Sequence, residues 1–157
     1  MADLATVTRN ITNELITIPG LSEARNTAIE KAPGFPLLMV YPKSGFWRNG
    51  SAAGGRSSTD NAMRWGTWTI NCVVHVARRD LPYDIAAAIP FADSVPNKLM
   101  YGYHRDKFGG SIVCLSDPTN RGATAPLSCE FGPSAIGAQD TVAWTFALDV
   151  TVEEEIS

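Results

Sequence analysis

The chain has 157 residues, of which 45% are hydrophobic and 18% are charged, a composition that indicates one globular domain and excludes disorder as the main state. Its formal net charge of −3 argues against a dedicated nucleic-acid-binding protein, because such proteins are normally basic. The three cysteines form no CxxC motif and there are only two histidines, so we expect no zinc site. The odd cysteine count and the absence of a signal-peptide pattern favour a reducing cytosol.

The charges are unevenly distributed along the chain. Residues 43–79 carry a net charge of +5, whereas residues 125–157 carry −6 and contain no basic residue. A protein with one positive and one negative region can bind copies of itself head to tail. Contacts of this heterologous kind form rings when the rotation closes. The alternative is a fold that mixes both regions over one surface.

The N-terminal part of the chain predicts one helix followed by one strand. A helix over residues 3–17, with Asp3 as its N-cap, would carry an apolar stripe at spacings of three and four. The stripe consists of Leu4, Val7, Ile11, Leu15 and Ile18. The apolar run at 37–41, which ends at Pro42, suits a strand that is buried on both faces.

Residues 43–64 form the most unusual stretch of the sequence. They are rich in glycine, serine and asparagine and show neither helical nor strand periodicity, so we expect an extended, functional loop. Arginine and aromatic residues are enriched at protein interfaces. The residues of this type in or beside the loop are Phe46, Trp47, Arg48, Arg56, Arg64 and Trp65. The alternative for Trp65 is a core position at the start of the next strand, and for Phe46 and Trp47 a loop folded back on its own core.

Two further segments alternate between apolar and polar residues. Residues 66–77 and residues 141–152 each predict a strand with one core face. Each strand would be about 40 Å long, which exceeds what a small domain needs. Long strands of this kind can project beyond the core and pair with a neighbouring subunit.

The region between these strands predicts a second helix over residues 81–100, capped by Asp80. Pro90 and Pro96 each remove a backbone donor, so we expect a kink at Pro90 or two shorter helices.

Residues 111–116 and 126–131 predict two strands of a hairpin that would place Cys114 opposite Cys129. Together the elements predict a single α+β domain over residues 1–157. It would contain a mostly antiparallel sheet of four or five strands, two helices packed on that sheet, and the long glycine-rich loop.

The sequence contains no strong catalytic signature. It lacks GxGxxG, GxSxG and HExxH motifs, and residues 45–51 have the glycine spacing of a phosphate-binding loop without its lysine. His75 and Asp80 are the remaining candidates for a small α+β enzyme or ligand-binding domain. The cysteines fall in apolar strand contexts, which favours inert core thiols. We therefore expect no catalytic residue, no metal and no cofactor.

The order of these elements resembles that of the tail terminator (tail completion) proteins of long-tailed bacteriophages. The resemblance covers nearly the whole chain and is one of organisation rather than of a short catalytic motif. The segments that carry it are FPLLMVYP at 35–42, HVARRDL at 75–81 and WTFALDV at 144–150. The prolines in the second helix depart from the uninterrupted helix of that pattern.

The resemblance implies a structural virion protein and not an enzyme. Such a protein forms a ring, expected to be a hexamer, at the head-proximal end of the tail tube, where it ends tube polymerisation and joins tail to head. Its partners would be its own copies, the tail tube protein and the head connector or stopper protein, with DNA only passing through the lumen and no membrane. It would be assembled in the host cytoplasm and reside in the virion tail.

A second set of partner contacts follows from the charges. Arg78 and Arg79 are expected to pair with Glu153, Glu154 or Glu155 of a neighbouring subunit.

Two other functions stay open at this point. One is a different connector, stopper or minor capsid component, and the other is a small α+β enzyme or ligand-binding domain.

Overall fold

Over the residues that it describes, the computed structural model contains two long helices, a one-turn helix and one mixed sheet of seven strands. The residues that it describes are 3–25, 34–49, 63–80, 85–115 and 126–155. In chain order the elements are α1 (Leu4–Leu15), β1 (Glu23–Arg25), β2 (Leu37–Gly45), β3 (Arg48–Asn49), β4 (Met63–Arg78), α2 (Ile85–Ala88), α3 (Phe91–Gly110), β5 (Cys114–Leu115), β6 (Leu127–Ile136) and β7 (Gln139–Glu155). The α+β class is therefore confirmed. The sheet has more strands than the expected four or five because three of them contain only two or three residues.

The sheet is built around β4 and β7, which pair antiparallel from Met63↔Glu155 to Arg78↔Thr141. The strand order is β1-β2-β4-β7, and only the β1–β2 pair is parallel. β3 pairs with β4 further along the edge that β2 occupies, while β5 and β6 both pair with the far edge of β7. At 16 and 17 residues, β4 and β7 are each about 50 Å long.

One face of the sheet forms the core because alternate residues of both long strands are apolar. Ile70, Cys72 and Val74 of β4 and Phe146 and Leu148 of β7 are fully buried there. The faces predicted from alternation are confirmed over this stretch. The alternation is interrupted by a bulge between His75 and Ala77, where one extra residue shifts the pairing.

The helix α1 covers this face with its apolar stripe. Val7, Ile11 and Leu15 have no exposed surface. The Oδ1 atom of Asp3 accepts a hydrogen bond from the backbone N–H of Thr6 at 2.8 Å, which confirms the N-cap. Hydrogen bonding to Thr6 lowers the pKa of Asp3.

The second helical region is divided near Pro90, as the sequence predicts. α2 ends at Ala88 and α3 begins at Phe91, with Pro96 inside α3. α3 extends past the predicted end at residue 100 and keeps helical backbone angles up to Arg105, after which residues 106–109 depart from them. The Asp80 carboxylate pairs with Arg78, and residues 81–84, which Asp80 was expected to cap, lie outside the described residues.

The end of α3 is a left-handed turn that buries an aromatic side chain. Lys107, Phe108 and Gly109 have positive φ angles of 54°, 54° and 71°, which is costly for residues other than glycine. Phe108 is only 1% exposed and joins the core. Asn10 of α1 donates a hydrogen bond to the Phe108 carbonyl oxygen at 2.9 Å. Burial of the ring and the contact with α1 offset the strain of the turn.

The sheet curls toward the face that lies away from the helices. Leu37 of β2 and Ile136 of β6 pack together on that face, although β4 and β7 separate the two strands in the sheet. Val73 and His75 lie on the same face and are each only 2% exposed.

The hairpin predicted from 111–116 and 126–131 is wrong. β5 and β6 do not pair with each other, because both pair antiparallel with β7 and so follow one another along the same edge. Cys114 lies opposite Thr151 and Cys129 opposite Phe146, so the two thiols do not face each other. β6 continues through Gly132 and Pro133 to the turn at Gly137.

None of the described helices is long and apolar enough to cross a membrane.

Candidate assembly surface

The far end of the long strands forms a three-stranded extension of the sheet, which we call the arm. It consists of residues 46–49, residues 63–66 of β4 and residues 152–155 of β7. The segment 43–64 is therefore not a loop throughout. Residues 43–45 belong to β2, residues 46–47 connect it to β3 at residues 48–49, and residues 63–64 begin β4, whereas residues 50–62, including Arg56, lie outside the described residues. The alternation is hidden in the sequence because the pairing shifts after Pro42 and is interrupted at Phe46 and Trp47.

One face of the arm carries a row of side chains from all three strands. Arg48 pairs in register with Trp65, and Trp65 with Glu153. The Arg48 guanidinium lies 5.5 Å from the Trp65 ring centroid and 4.9 Å from that of Phe46. The Phe46 and Trp65 rings meet edge to face at 6.2 Å. Trp65 is only 8% exposed, whereas Phe46 is 38% exposed.

The opposite face of the arm carries a second row of the same kind. Asn49 pairs in register with Arg64, and Arg64 with Glu154. The Nε atom of Arg64 donates to Oε1 of Glu154 at 2.8 Å, and its guanidinium lies 4.2 Å from the Trp47 ring centroid. Trp47 in turn contacts Trp68, with the ring centroids 5.7 Å apart, and packs against the main core. The aromatic side chains therefore anchor the arm to its own core, which was one of the alternatives for Trp47.

A glycine allows the close approach of the chain segment at Phe46 to β4. The backbone N–H of Phe46 donates to the carbonyl oxygen of Thr67 at 3.2 Å. A Cβ atom added at Gly66 would collide with the Phe46 carbonyl oxygen, which belongs to the backbone and cannot rotate away. Only glycine fits this position without moving the two strands apart.

The other end of the long strands carries the remaining predicted cations. Arg78 pairs with Asp80 at 2.8 Å and Arg79 with Asp140 at 2.9 Å, all within one chain. These arginines lie about 40 Å from Glu153, because β4 separates the two ends. Contact between them therefore requires a second copy of the chain and the loss or sharing of the internal ion pairs. The pairing with Glu153, Glu154 and Glu155 stays a prediction, and the Glu155 side chain lies outside the described set.

Of the groups considered for chemistry, His75 and Cys72 are buried and Asp80 is ion-paired. The expectation of core thiols is wrong for Cys129, which is exposed, and Cys114 is half-buried. His75 is 2% exposed, its Nδ1 atom lies 2.7 Å from Oγ1 of Thr141, and burial lowers its pKa to about 4. Burial also raises the pKa of the Cys72 thiol to about 12. Asp80 is exposed and paired with Arg78. Across the ranges that the structure describes, no group of three His, Cys, Asp or Glu residues could hold a metal ion.

The structure brings five of the predicted partner-binding residues together in the arm, in two clusters, and adds neighbours that the sequence pattern does not indicate. Phe46, Arg48 and Trp65 form one cluster, and Arg64 and Trp47 form another on the opposite face. The missed residues are Gly66, Trp68 and Asn49. Antiparallel pairing of the two alternating segments, 66–77 and 141–152, can place residue 65 beside residue 153, but sequence alone does not fix that register.

Neither the comparison with protein-family models nor the comparison with curated proteins finds a match for this chain.

Proposed function

We propose that this protein is a structural component of a bacteriophage tail. It forms a ring at the head-proximal end of the tail tube, where it ends tube polymerisation and joins the tail to the head. The observation that carries the proposal is the arm, in which two strands of about 50 Å continue to an end that exposes arginine and aromatic side chains.

The composition of the arm supports a role in binding other proteins. Arginine and aromatic residues provide large contact areas and several hydrogen-bond donors at interfaces. Phe46 keeps 38% of its surface exposed, and Arg48 is exposed beside it. Both side chains are already held by mutual stacking, so little conformational entropy is lost when a partner binds.

The state of the candidate catalytic groups supports a structural rather than an enzymatic role. His75 is buried against Thr141, and Asp80 is held by Arg78. A general base must reach a proton of its substrate, and the buried His75 is not placed to do so without a rearrangement. No feature of the described residues favours the enzyme alternative.

The test of the proposal measures assembly first and tail-tube growth second. Light scattering after size-exclusion chromatography should detect a species of about 100 kDa for six copies of the 16.9 kDa chain. Negative-stain images should show closed rings. Added to polymerising tail tube protein from the same phage, the ring should shorten the tubes and occupy one tube end.

Three results separate the alternatives. Rings that bind the head connector but never the tube end would assign a connector or stopper instead. A protein that stays monomeric at millimolar concentration and leaves tube length unchanged would contradict the proposal. Turnover of a small molecule by the monomer would replace the proposal with an enzyme.

A further inference from the structure

One edge of the sheet presents a row of exposed aromatic and basic side chains, which we call the β2–β3 edge. Its members in chain order are Tyr41, Lys43, Phe46 and Arg48. Tyr41 is 40% exposed and Phe46 is 38% exposed, so two large apolar side chains face solvent on this edge. β1 pairs with β2 only at residues 37–39, and no described strand lies along the outer side of β2 beyond them or along the outer side of β3.

The basic side chains of the β2–β3 edge are available to a partner. Among the residues that the structure describes, no carboxylate forms an ion pair with Lys43 or Arg48. The Arg48 guanidinium lies over two aromatic rings, which hold it in place and leave the N–H donors at its edge for a ligand. Arg64 on the opposite face of the arm also lies over a ring, but it donates to Glu154 of its own chain.

Pro42 and the irregular pairing beside it indicate how a partner can bind this edge. Pro42 has no backbone N–H, and the register between β2 and β4 shifts between Pro42 and Ser44. Proline and irregular pairing both hinder the addition of another strand to an exposed edge. Recognition therefore depends on the side chains, and cations beside aromatic rings suit a carboxylate on a protein surface. A nucleic acid suits them less, because its phosphates need many cations and residues 153–155 of the same arm are all glutamates.

The opposite edge of the sheet carries an exposed carboxylate. β6 pairs with β7 only, and Glu130 lies in β6 with its side chain exposed. Its cross-strand neighbour on β7 is Thr145, which carries no charge. The β6 edge and the β2–β3 edge are thus the two sides of one sheet, with β4 and β7 between them.

The other described carboxylates already have roles within their own chain. Six of them form ion pairs with arginines. Asp3 caps α1, and Asp149 accepts a hydrogen bond from a threonine. Asp93 lies in the first turn of α3, where the helix dipole favours a negative charge, and Glu153 has an interaction within the chain. Among the carboxylate side chains that the structure describes, Glu130 is the one left to bind the β2–β3 edge.

From these two edges we propose that the β2–β3 edge of one copy binds the β6 edge of the next copy, with Arg48 paired to Glu130 of the partner subunit. The occupant of each edge is a second copy of this chain, because the available cation and the available carboxylate lie on opposite sides of the same sheet. A contact between two different edges is heterologous and can repeat until a ring closes. The proposal rests on the self-assembly in the proposed function and names the contact that produces it.

Charge disfavours the two symmetric contacts. If two β2–β3 edges met, Arg48 would approach its own copy, and if two β6 edges met, Glu130 would do the same. Like charges across an interface oppose binding, whereas the mixed contact pairs opposite charges. Arg48 is level with Glu153 of β7 and Glu130 with Thr145, about 27 Å apart along the strands, so successive copies are staggered. The strands are then inclined to the ring axis, as they are in a closed barrel.

Charge reversal tests this pair through self-association. Arg48→Glu and Glu130→Arg should each raise the dissociation constant of assembly at least about tenfold in sedimentation experiments, because each variant brings like charges together. The double variant should return the constant to within about threefold of the wild-type value. An equimolar mixture of the two single variants should also assemble, because each finds the complementary edge on the other protein.

A matched control reverses an exposed arginine at the other end of β4. Arg79→Glu should change the dissociation constant less than about threefold, and circular dichroism shows whether each variant is folded. An equal effect of Arg79→Glu, or single variants that neither the double variant nor the mixture restores, would overturn the contact. If the wild-type protein assembles and neither single reversal weakens it, the contact is wrong while the proposed function survives. If the wild-type protein never assembles, both fail.

Cysteine cross-linking measures the same contact without reversing any charge. Arg48→Cys and Glu130→Cys are made separately in a background where Cys114 and Cys129 are serine, and the two proteins are mixed under mild oxidation. The mixture should give a disulfide-linked dimer at least about tenfold faster than either variant alone, because only a close pair can form the bond. Arg79→Cys mixed with Glu130→Cys should stay at the rate of the single variants. No acceleration in the first mixture, or equal acceleration in the second, would contradict the pairing of these two edges.

Discussion

The centre of the sheet and the arm are built from the same two strands, yet different interactions hold them together. In the centre, Ile70 and Phe146 are fully buried under α1 and α3. In the arm, arginines stack on aromatic rings and pair with glutamates, and several of these side chains remain exposed. Apolar burial stabilises by about 25 cal/mol for each Å², whereas exposed ion pairs contribute about 0–1 kcal/mol. The arm therefore adds surface for contacts more than it adds stability.

The largest effect is expected from removing a buried ring in the centre. Phe146→Ala should lower the free energy of unfolding by about 3–5 kcal/mol, because it leaves a cavity under the helices. Phe46→Ala, which is the same substitution in the arm, should cost less than about 1.5 kcal/mol. Urea denaturation of both variants measures the difference. Equal losses would mean that the arm belongs to the core.

A pH titration examines the centre through His75. The folded-state pKa is lowered to about 4 by burial, while the unfolded value is about 6.5. The unfolded state therefore takes up the proton first, and stability that is complete above pH 6.5 is lost as the pH falls toward 4. The expected loss is about 3 kcal/mol, from a pKa difference of about 2.5 units. His75→Gln should flatten this dependence, and His104→Gln, which replaces an exposed histidine, should preserve it.

A methyl group at Gly66 should destabilise the arm while leaving the centre of the sheet intact. Gly66→Ala forces the added Cβ against the Phe46 carbonyl oxygen and should cost about 1–3 kcal/mol. Gly132→Ala in β6 is the matched control, because an added Cβ there meets no atom within 4 Å. Hydrogen exchange should show lost protection at residues 46–49 and 64–67 in the first variant only. Uniform loss of protection over the whole sheet would show that the arm and the centre do not open independently.

The smallest effect is expected from the arginine stacks themselves. Arg64→Leu removes the contact with Trp47 and the ion pair with Glu154, and should cost about 0.5–1 kcal/mol. Arg79→Leu removes an exposed ion pair with Asp140 at the other end and should cost less. Thermal unfolding of both variants in low salt resolves the order. A larger loss for Arg79→Leu would argue against a role for the aromatic stack.

Regular alternation is what made the centre predictable. The core faces of β4 and β7 follow from period-two patterns in residues 66–77 and 141–152, and the division of the second helix follows from Pro90. Both strands are longer than their alternating segments predict. At the arm they continue as charged and aromatic residues that resemble loop sequence. Burial produces an alternating apolar and polar pattern only where one face of a strand packs against a core.

The errors arise where pairing partners are distant in sequence. Residues 111–116 and 126–131 were expected to pair with each other because they are neighbours in the chain, yet both pair with β7. The two rows of side chains in the arm also depend on pairing between distant segments. The strand register places residue 48 beside 65 and residue 65 beside 153. The sequence therefore predicted the identity of many arm residues but not which of them share a face.

The outer edge of β7 also provides a place to attach a label. Leu115 lies opposite Val150 on this edge, and the carbonyl oxygen of Pro126 accepts a hydrogen bond from the backbone N–H of the adjacent Asp149 at 2.8 Å. Leu115 and Pro126 are thus held at adjacent rungs of one ladder, so a peptide epitope or fluorescent tag inserted in the sequence between them would be tethered at both ends. Such a marker would report the position of each copy in an assembled particle by microscopy without altering the residues of the arm.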